Sequence, residues 1–296
     1  MHTLTECPVC KGHSFEPLMI CKDYTVSHET FQLVRCESCS FVATSPRPDD
    51  SELGKYYESK DYISHAPKSS SLLDQIYKIS RVFTLRWKIS IVKTNTFTPH
   101  ENENRLLDYG CGTGDFLNAA RKKGFSVSGV EPSAIARSYA EQLTHQQIYN
   151  SISQTNHEYN AITLWHVLEH VPDLNEKVEQ LKERLAKNGT MFIAVPNHRS
   201  IDAQTYKSEW AGYDVPRHLW HFNRDTMTQL LKGHSLRIEK IIPMKLDAFY
   251  VSMLSEKNKN GKNTTKAMLD GFINGLKSNT ASNKGEYSSL IYIIRK

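Results

Sequence analysis

The sequence predicts an α/β protein with a doubly wound, Rossmann-like sheet and a small metal-binding module in front of it. Three observations lead to this prediction. From about residue 100 onward, short apolar segments of strand composition alternate with amphipathic helical segments. A glycine-rich turn separates the first of these strands from its helix. Two C-x-x-C pairs precede this region and end at residue 39.

The size and composition of the chain fit this architecture. Its 296 residues have room for one large core and a small accessory module, and 39% of them are hydrophobic. No apolar run approaches the roughly 20 residues of a membrane span. The N-terminus lacks the apolar core of a signal peptide. We therefore expect a cytoplasmic protein without a membrane span, and the sequence leaves its oligomeric state open.

The charge of the chain bears on its partners. Its formal net charge is +5, and the basic residues are not gathered into long Lys/Arg blocks. A dedicated nucleic-acid-binding protein concentrates its basic residues on one face. The composition therefore argues against a nucleic-acid partner without excluding one.

The cysteine pairs CPVC and CESC contain Cys7, Cys10, Cys36 and Cys39. Without a secretion signal, such pairs favour metal binding over a disulfide framework. Two thiolate pairs joined by the intervening chain suit tetrahedral zinc. A redox pair would stand beside a βαβ pattern, which this region lacks. We expect residues 1–45 to be a zinc ribbon that holds structural Zn²⁺; two unrelated reduced pairs are the alternative.

Residues 46–99 are predicted to be a linker and a helical cover. An apolar stripe over 72–94, which includes Phe83, Trp87 and Ile91, predicts a helix that covers one side of the core. The polar segment before it is tyrosine-rich and is either a lid or a surface helix. The tyrosines are Tyr56, Tyr57 and Tyr62.

Residues 100–296 are predicted to form the doubly wound domain. Its helices include one capped by Ser133, one over 174–187 and one capped by Asn223. A segment at about 257–285, rich in Asn, Lys, Ser and Thr, is predicted to be a mobile insertion with one short helix. The ligand of such a fold lies at the carboxyl ends of the strands.

The stretch LLDYGCGTGDFL places Gly110, Gly112 and Gly114 at alternate positions, with Asp108 in front. Glycine tolerates positive φ and lets the backbone approach a ligand closely. Glu131 follows 23 residues after Asp108, where a carboxylate can accept both hydroxyls of a ribose. An acid before the loop favours a cationic ligand such as S-adenosylmethionine (SAM) over the pyrophosphate of a dinucleotide.

Together, LLDYGCGTGDFL, GVEPS and ITLWHVLEHVPD resemble the motifs of class I SAM-dependent methyltransferases, nearest to the branch that includes ubiquinone-type enzymes. The resemblance covers about residues 100–245, and the strand at 288–295 completes the sheet. It implies a seven-stranded sheet of order 3-2-1-4-5-7-6 whose last strand is antiparallel.

The resemblance also implies a cofactor site. Four residues would line the methionine part of SAM: Asp108, Gly110, Gly112 and Gly114. Glu131 would hold the ribose, and Trp165 and His166 would lie beside the sulfonium. The turn after the third strand offers Ser151 and Ile152 to adenine, and the acid that the family often has there is absent.

Methyl transfer needs alignment of donor and acceptor, and it needs a base only if the acceptor must lose a proton. His166 and His170 are candidates, as are His218 and His221 in PRHLWHF, because the histidine pKa lies near neutrality. Glu169 and His170 have the alternative role of capping and packing the next helix. Some ubiquinone-type enzymes bind a divalent metal through an acid-x-x-Glu-His run. Here His166 replaces the first acid, which argues against a catalytic metal.

These observations predict a SAM-dependent methyltransferase acting on an O, C or N atom of a small-molecule acceptor, such as a sugar or another biosynthetic intermediate. Sugar C-methyltransferases carry a similar ribbon before a similar core. One alternative is an RNA methyltransferase, which would show a basic groove running from ribbon to active site. Another is a non-catalytic SAM- or partner-binding protein, against which the intact glycine loop argues.

Overall fold

The computed structural model describes residues 1–57, 72–96, 104–262, 264–280 and 285–296. The strands are β1 (Phe15–Lys22), β2 (Thr30–Cys36), β3 (Val42–Thr44), β4 (Arg105–Tyr109), β5 (Ser126–Val130), β6 (Ile148–Tyr149), β7 (Tyr159–Trp165), β8 (Leu185–Pro196), β9 (Trp220–His221), β10 (Arg237–Pro243) and β11 (Ser289–Arg295).

The α-helices are α1 (Leu72–Asn95), α2 (Asp115–Arg121), α3 (Ala134–Thr144), α4 (Leu174–Arg184), α5 (Ile201–Tyr206), α6 (Arg224–Gly233), α7 (Lys245–Asn260) and α8 (Thr265–Thr280). Short 3₁₀ turns lie at Leu53–Tyr57, Ile152–Gln154, Leu168–His170, Lys207–Glu209 and Ala211–Tyr213. None of the helices in these ranges has the length and apolar character needed to cross a bilayer.

The larger sheet has seven strands in the order β10-β11-β8-β7-β4-β5-β6, and β11 is antiparallel to both of its neighbours. This arrangement confirms the predicted fold class and the predicted order 3-2-1-4-5-7-6. β4 lies between β5 and β7, so the first crossover runs to one side and a later one to the other. The crevice for a ligand is expected at this switch point.

The central strands are apolar on both faces because helices cover both faces. Leu106, Leu107 and Leu164 are fully buried. The predicted caps of α3 and α6 are confirmed: the Ser133 hydroxyl accepts from Ala136 N at 3.4 Å, and Asn223 forms a capping box.

Helix α1 covers the core as predicted, but the predicted apolar stripe is wrong at two positions. Phe83 is 62% exposed and Trp87 is 37% exposed, whereas Ile89, Ile91 and Val92 are buried. These three belong to one apolar cluster with side chains of the central strands. Near its C-terminal end, therefore, the helix keeps Ile91 of the predicted stripe in the core and adds Ile89 and Val92.

Two other expectations are corrected. The described residues of the segment at about 257–285 are mostly helical rather than a loop with one short helix, since the end of α7 and all of α8 lie in it and form a hairpin. Glycines allow close packing: a Cβ on Gly271 would lie 2.6 Å from Met253 Cα. The helix predicted over 174–187 ends at Arg184, because Leu185 is already a fully buried strand residue.

The N-terminal residues share a second sheet with the large domain. Its order is β1-β2-β3-β9, and β3 pairs with β9 through Val42–His221 and Ala43–Trp220. Phe41 stacks on Trp220 with the ring centroids 6.0 Å apart. The cysteine module is therefore hydrogen-bonded directly to the segment that carries two of the candidate histidines. The division into 1–45, 46–99 and 100–296 stays a prediction.

A buried guanidinium joins the ribbon to the segment that precedes β9. Arg217 is 2% exposed, and its Nη2 lies 2.9 Å from Asp23 Oδ1 and 2.6 Å from Asp214 Oδ1. Its Nη1 donates to the Tyr56 carbonyl oxygen at 2.9 Å. Arg217 thus neutralises a fully buried carboxylate of the ribbon, and breaking one side of such a pair leaves an uncompensated charge.

Replacing Arg217 by Leu should lower the free energy of unfolding by about 3–5 kcal/mol, because Asp23 would keep its charge without its partner. The matched control is Arg237→Leu, where the guanidinium is 70% exposed and paired with Glu239. That change should cost less than about 1 kcal/mol. Urea unfolding of both variants provides the measurement, and equal losses would contradict the assigned role of Arg217.

Candidate active site

The glycine loop after β4 is bare backbone held in left-handed conformations. The φ angles of Gly110, Gly112 and Gly114 are 73°, 54° and 83°. A Cβ on Gly110 would lie 2.5 Å from Val167, and one on Gly114 would lie 3.0 Å from Ala140. A Cβ on Gly112 would meet nothing within 4 Å. Two of the glycines therefore permit packing, while Gly112 faces open space.

The carboxylate of Glu131 lies across this loop. Its Oε2 accepts from Gly112 N at 2.9 Å, and its Oε1 accepts from Ser133 N at 2.9 Å. Each carboxylate oxygen has a further lone pair for a hydroxyl donor. The spacing between the glycine loop and the acid, noted in the sequence, brings the two groups into contact.

Asp108 lies beneath the loop and is 2% exposed. Its Oδ1 accepts from the Thr163 hydroxyl at 2.7 Å. Burial raises the pKa of Asp108 to about 7, although Thr163 and the charge of Lys88 act in the opposite direction. A cation placed at the loop would favour the ionised form of this carboxyl group.

Lys88, on α1, was not singled out from the sequence. Its Nζ lies 4.6 Å from the ring centroid of Trp165, and burial lowers its pKa against the opposing charges of Asp247 and Asp108. The Trp165 ring also contacts Phe116 edge-on at 5.1 Å, and its Nε1 is buried without a hydrogen-bond partner in the described part of the chain. In the sequence, the signal for Lys88 is a lysine that stands among the apolar residues of α1.

His166 follows β7 and has a φ of 58°, which is uncommon for a residue with a side chain. Its Nε2 lies 3.1 Å from Asp247 Oδ2, and its Nδ1 lies 3.4 Å from Glu169 Oε1. Burial lowers the pKa of His166, but hydrogen bonds to Asp247 and Glu169 outweigh burial and raise it to about 9. The ring is therefore charged at neutral pH. Asp247, from α7, was also missed.

Glu169, His170 and His218 form a cluster in which one donor atom from each lies within 4.8 Å of the others. Glu169 is 1% exposed. Beyond the long contact to His166, its oxygens have no hydrogen-bond partner among the described residues. One carboxylate and two imidazoles are also donors that divalent metals accept.

The tautomers of the two histidines follow from their partners. His170 Nδ1 lies 3.0 Å from the Arg217 carbonyl oxygen, and His218 Nδ1 lies 2.9 Å from the Gly212 carbonyl oxygen. A carbonyl only accepts, so each Nδ1 carries a proton and each Nε2 is the acceptor when the ring is neutral. Burial and the neighbouring His218 lower the pKa of His170 to about 4.

Three further residues singled out from the sequence are buried or hydrogen-bonded. His221 is 4% exposed, its Nε2 is 3.0 Å from Thr44 Oγ1, and burial lowers its pKa. Ile152 is 2% exposed and belongs to the apolar core, so only its backbone is available to a ligand. Tyr57 OH lies 3.0 Å from His170 Nδ1. Tyr62 lies outside the described residues.

The four ribbon cysteines converge on one point. The Sγ atoms of Cys7 and Cys39 are 3.6 Å apart, those of Cys10 and Cys36 are 3.5 Å apart, and none forms a disulfide. A tetrahedral zinc with Zn–S bonds of about 2.3 Å places its sulfurs roughly 3.8 Å apart. Gly12 N also lies 3.4 Å from Cys10 Sγ. This geometry fits the predicted Zn²⁺.

The strand order, the glycine loop and the acid at the end of β5 together define a class I SAM-dependent methyltransferase fold. The family model described as "Methyltransferase domain" matches residues 88–241, just over half of the chain. The chain belongs to this methyltransferase domain family, which confirms the resemblance found in the sequence.

Individual relatives are more distant. The chain is 32% identical over 103 residues to the ubiquinone biosynthesis O-methyltransferase of Aeromonas salmonicida, a match that covers 31% of this chain and 43% of that protein. The protein of the same name from Histophilus somni is 29% identical over 123 residues, covering 37% and 49% of the two chains. The chain thus spans less than half the length of these relatives.

A solved structure supports the fold. The SAH-bound magnesium protoporphyrin IX methyltransferase of Synechocystis aligns with a TM-score of 0.51 and 14% identity, over 84% of this chain and 100% of that one. At this identity the likeness concerns the fold alone.

Replacing His166 by Gln should make the free energy of unfolding depend less steeply on pH above neutrality. The raised pKa means that the stabilisation from charged His166 is complete below its usual value of 6.5 and is lost as pH rises through about 9. The free energy of unfolding of the wild type should therefore fall by roughly 1–2 kcal/mol more than that of the variant between about pH 6 and pH 10.

Urea unfolding at each pH measures this difference. Asp247→Asn should flatten the curve in the same way, because it removes the partner that raises the pKa. Wild-type and His166→Gln curves that run parallel would contradict the charged state assigned to His166.

Proposed function

We propose that this protein is a SAM-dependent methyltransferase that transfers a methyl group to an O, C or N atom of a small-molecule acceptor. The main support is the open space in front of Gly112, with the carboxylate of Glu131 across it and Asp108 beneath it. This is the environment that a cationic ligand with a ribose requires. We also propose a cytoplasmic location.

Several residues would hold SAM. Glu131 would accept from the ribose hydroxyls, and Asp108, Gly110, Gly112 and Gly114 would surround the methionine part. Trp165 and His166 would lie beside the sulfonium, and the backbone at Ile152 would meet the adenine. Lys88 adds a cation beside Trp165 that suits a carboxylate. When bound, SAM supplies a methyl group on a positively charged sulfur.

The acceptor's proton, where one must be lost, would go to His170 or His218. The neutral form of each ring has an accepting Nε2, fixed by an Nδ1–H bond to a backbone carbonyl. His170 is neutral at pH 7 because its pKa is lowered to about 4. His166 is already protonated, and His221 is hydrogen-bonded to Thr44. We therefore assign to these two histidines a positioning role rather than proton transfer.

A small-molecule acceptor is favoured over RNA. The curated relatives are named for ubiquinone biosynthesis, and the net charge of +5 is modest for a nucleic-acid enzyme. Incubation with methyl-labelled SAM and a cell extract tests this choice. We expect the label in the small-molecule fraction; label confined to RNA, or no transfer by a protein that binds SAM, would contradict the proposal.

Gly112→Val and Glu131→Ala should each weaken SAM binding at least about tenfold. The first fills the open space with a side chain, and the second removes the proposed ribose acceptor. Calorimetry with SAM and S-adenosylhomocysteine measures both effects.

The matched control is Gly124→Val. Gly124 also has a positive φ, 93°, and open space around its Cβ position, but it lies at the far end of α2. This variant should also carry backbone strain, because a side chain is placed at a positive φ, and it should bind SAM normally. If the Gly112→Val and Gly124→Val variants bound SAM with equal affinity, the assignment of the SAM site would be wrong.

We assign Zn²⁺ to the four cysteines, in a structural role. The double variant Cys7→Ser with Cys36→Ser should lose one bound zinc per chain, as measured by elemental analysis. It should also unfold at a lower temperature, since the cysteines lie in one apolar cluster with the main domain. Cys21→Ser, outside the cluster, should retain its zinc. A zinc-free wild-type protein would contradict the assignment.

A further inference from the structure

The hairpin of α7 and α8 buries small or polar residues and exposes its large apolar ones. Apart from Glu256, the residues that the two helices bury are small: Ala248, Ser252 and Ser255 on α7, and Ala267, Gly271, Gly275 and Ser278 on α8. A Cβ on Gly275 would lie 2.7 Å from Phe249 Cα, so the helices are in close backbone contact. Large apolar side chains are therefore not needed between the helices.

Polar groups hold the inner side of the hairpin against the domain. Ser278 donates to Asp202 at 2.6 Å, and Tyr206 donates to Glu256 at 3.0 Å. Asn274 donates to the Tyr206 hydroxyl at 2.9 Å. These hydrogen bonds hold Glu256, Asn274 and Ser278 on the inner side of the hairpin.

The outer side of the hairpin is apolar. Its large exposed side chains are Leu246 at 53%, Tyr250 at 51%, Leu269 at 59%, Phe272 at 51%, Ile273 at 40% and Leu276 at 48%. Phe249 stacks on Phe272 with ring centroids 4.9 Å apart, which joins the two helices into one surface. A contiguous apolar surface of this kind marks an interaction site.

The charges around this surface are basic. The two helices and their connection carry six lysines, all exposed: Lys245, Lys257, Lys259, Lys262, Lys266 and Lys277. The acidic residues of the same segment are ion-paired, buried or half-buried. Asp247 is bonded to His166, Glu256 is buried, and Asp270 is half-buried.

The lysines lie at both ends of the apolar surface. Asn279 donates to the Lys245 carbonyl oxygen at 2.8 Å, which brings Lys245 near Lys277 at one end. The other four lie toward the connection between the helices. A second copy of the chain would oppose lysines to lysines, and like charges brought together destabilise an interface.

We propose that the outer face of the α7–α8 hairpin binds the surface of an anionic lipid bilayer. An apolar face flanked by lysines inserts its side chains at the headgroup boundary while the lysines contact anionic headgroups. This inference goes beyond the proposed methyl transfer and does not depend on it. It places the first turn of α7 at the membrane on one side and, through Asp247, against His166 on the other.

Co-sedimentation of the full chain with lipid vesicles tests the proposal. We expect binding to phosphatidylcholine vesicles that contain about one third phosphatidylglycerol, and little binding to pure phosphatidylcholine. The double variant Leu269→Ser with Phe272→Ser should lose binding by at least about tenfold. Lys266→Gln with Lys277→Gln should lose about fivefold per charge at low salt.

The matched control is Ile135→Ser with Tyr139→Ser on α3, where the side chains are 59% and 57% exposed. It should bind vesicles like the wild type. Thermal unfolding verifies that each variant is folded. Failure of the wild type to bind anionic vesicles, or equal binding by the Leu269/Phe272 variant, would overturn the proposal. A dimer in light scattering that this variant dissociates would instead assign the face to self-association.

Discussion

The structure depends on the carboxylate of Glu131, which is hydrogen-bonded to the backbone of the glycine loop. Glu131 accepts from the amides of Gly112 and Ser133, and so joins the turn after β4 to the N-terminus of α3. This contact requires adjacent parallel strands whose carboxyl ends meet, a loop without side chains and an acid in the next turn. It leaves the Gly112 backbone facing open space, with the buried Asp108 at the end of the strand that leads into the loop.

A second feature is the continuity between the cysteine module and the candidate acceptor region. β3 of the ribbon pairs with β9, and Thr44 contacts His221 while donating to the His218 carbonyl oxygen at 2.7 Å. Arg217 precedes His218 and neutralises Asp23 of the ribbon. The histidines are therefore positioned partly by the N-terminal residues, which makes the ribbon a supporting element of the site.

Much of the fold could be predicted because its signals are local. The glycine loop, the caps at Ser133 and Asn223 and the apolar strands each occupy a short stretch. Errors arose where packing depends on distant residues. The α7–α8 hairpin packs through glycine and serine with its apolar side outward, so its composition resembles that of a loop. Phe83 and Trp87 share the helical period of the buried Ile91, yet both remain exposed.

By itself, the sequence determined the sheet, the cluster of four cysteines and the loop with its acid, because these depend on residue type at fixed spacing. Tertiary structure decided which side chains meet across the chain. Only folding brings Lys88 onto Trp165, Asp247 onto His166, and Glu169 toward His218. The contact with Asp247 raises the pKa of His166, since burial and neighbouring charge shift a pKa and neither is encoded in local spacing.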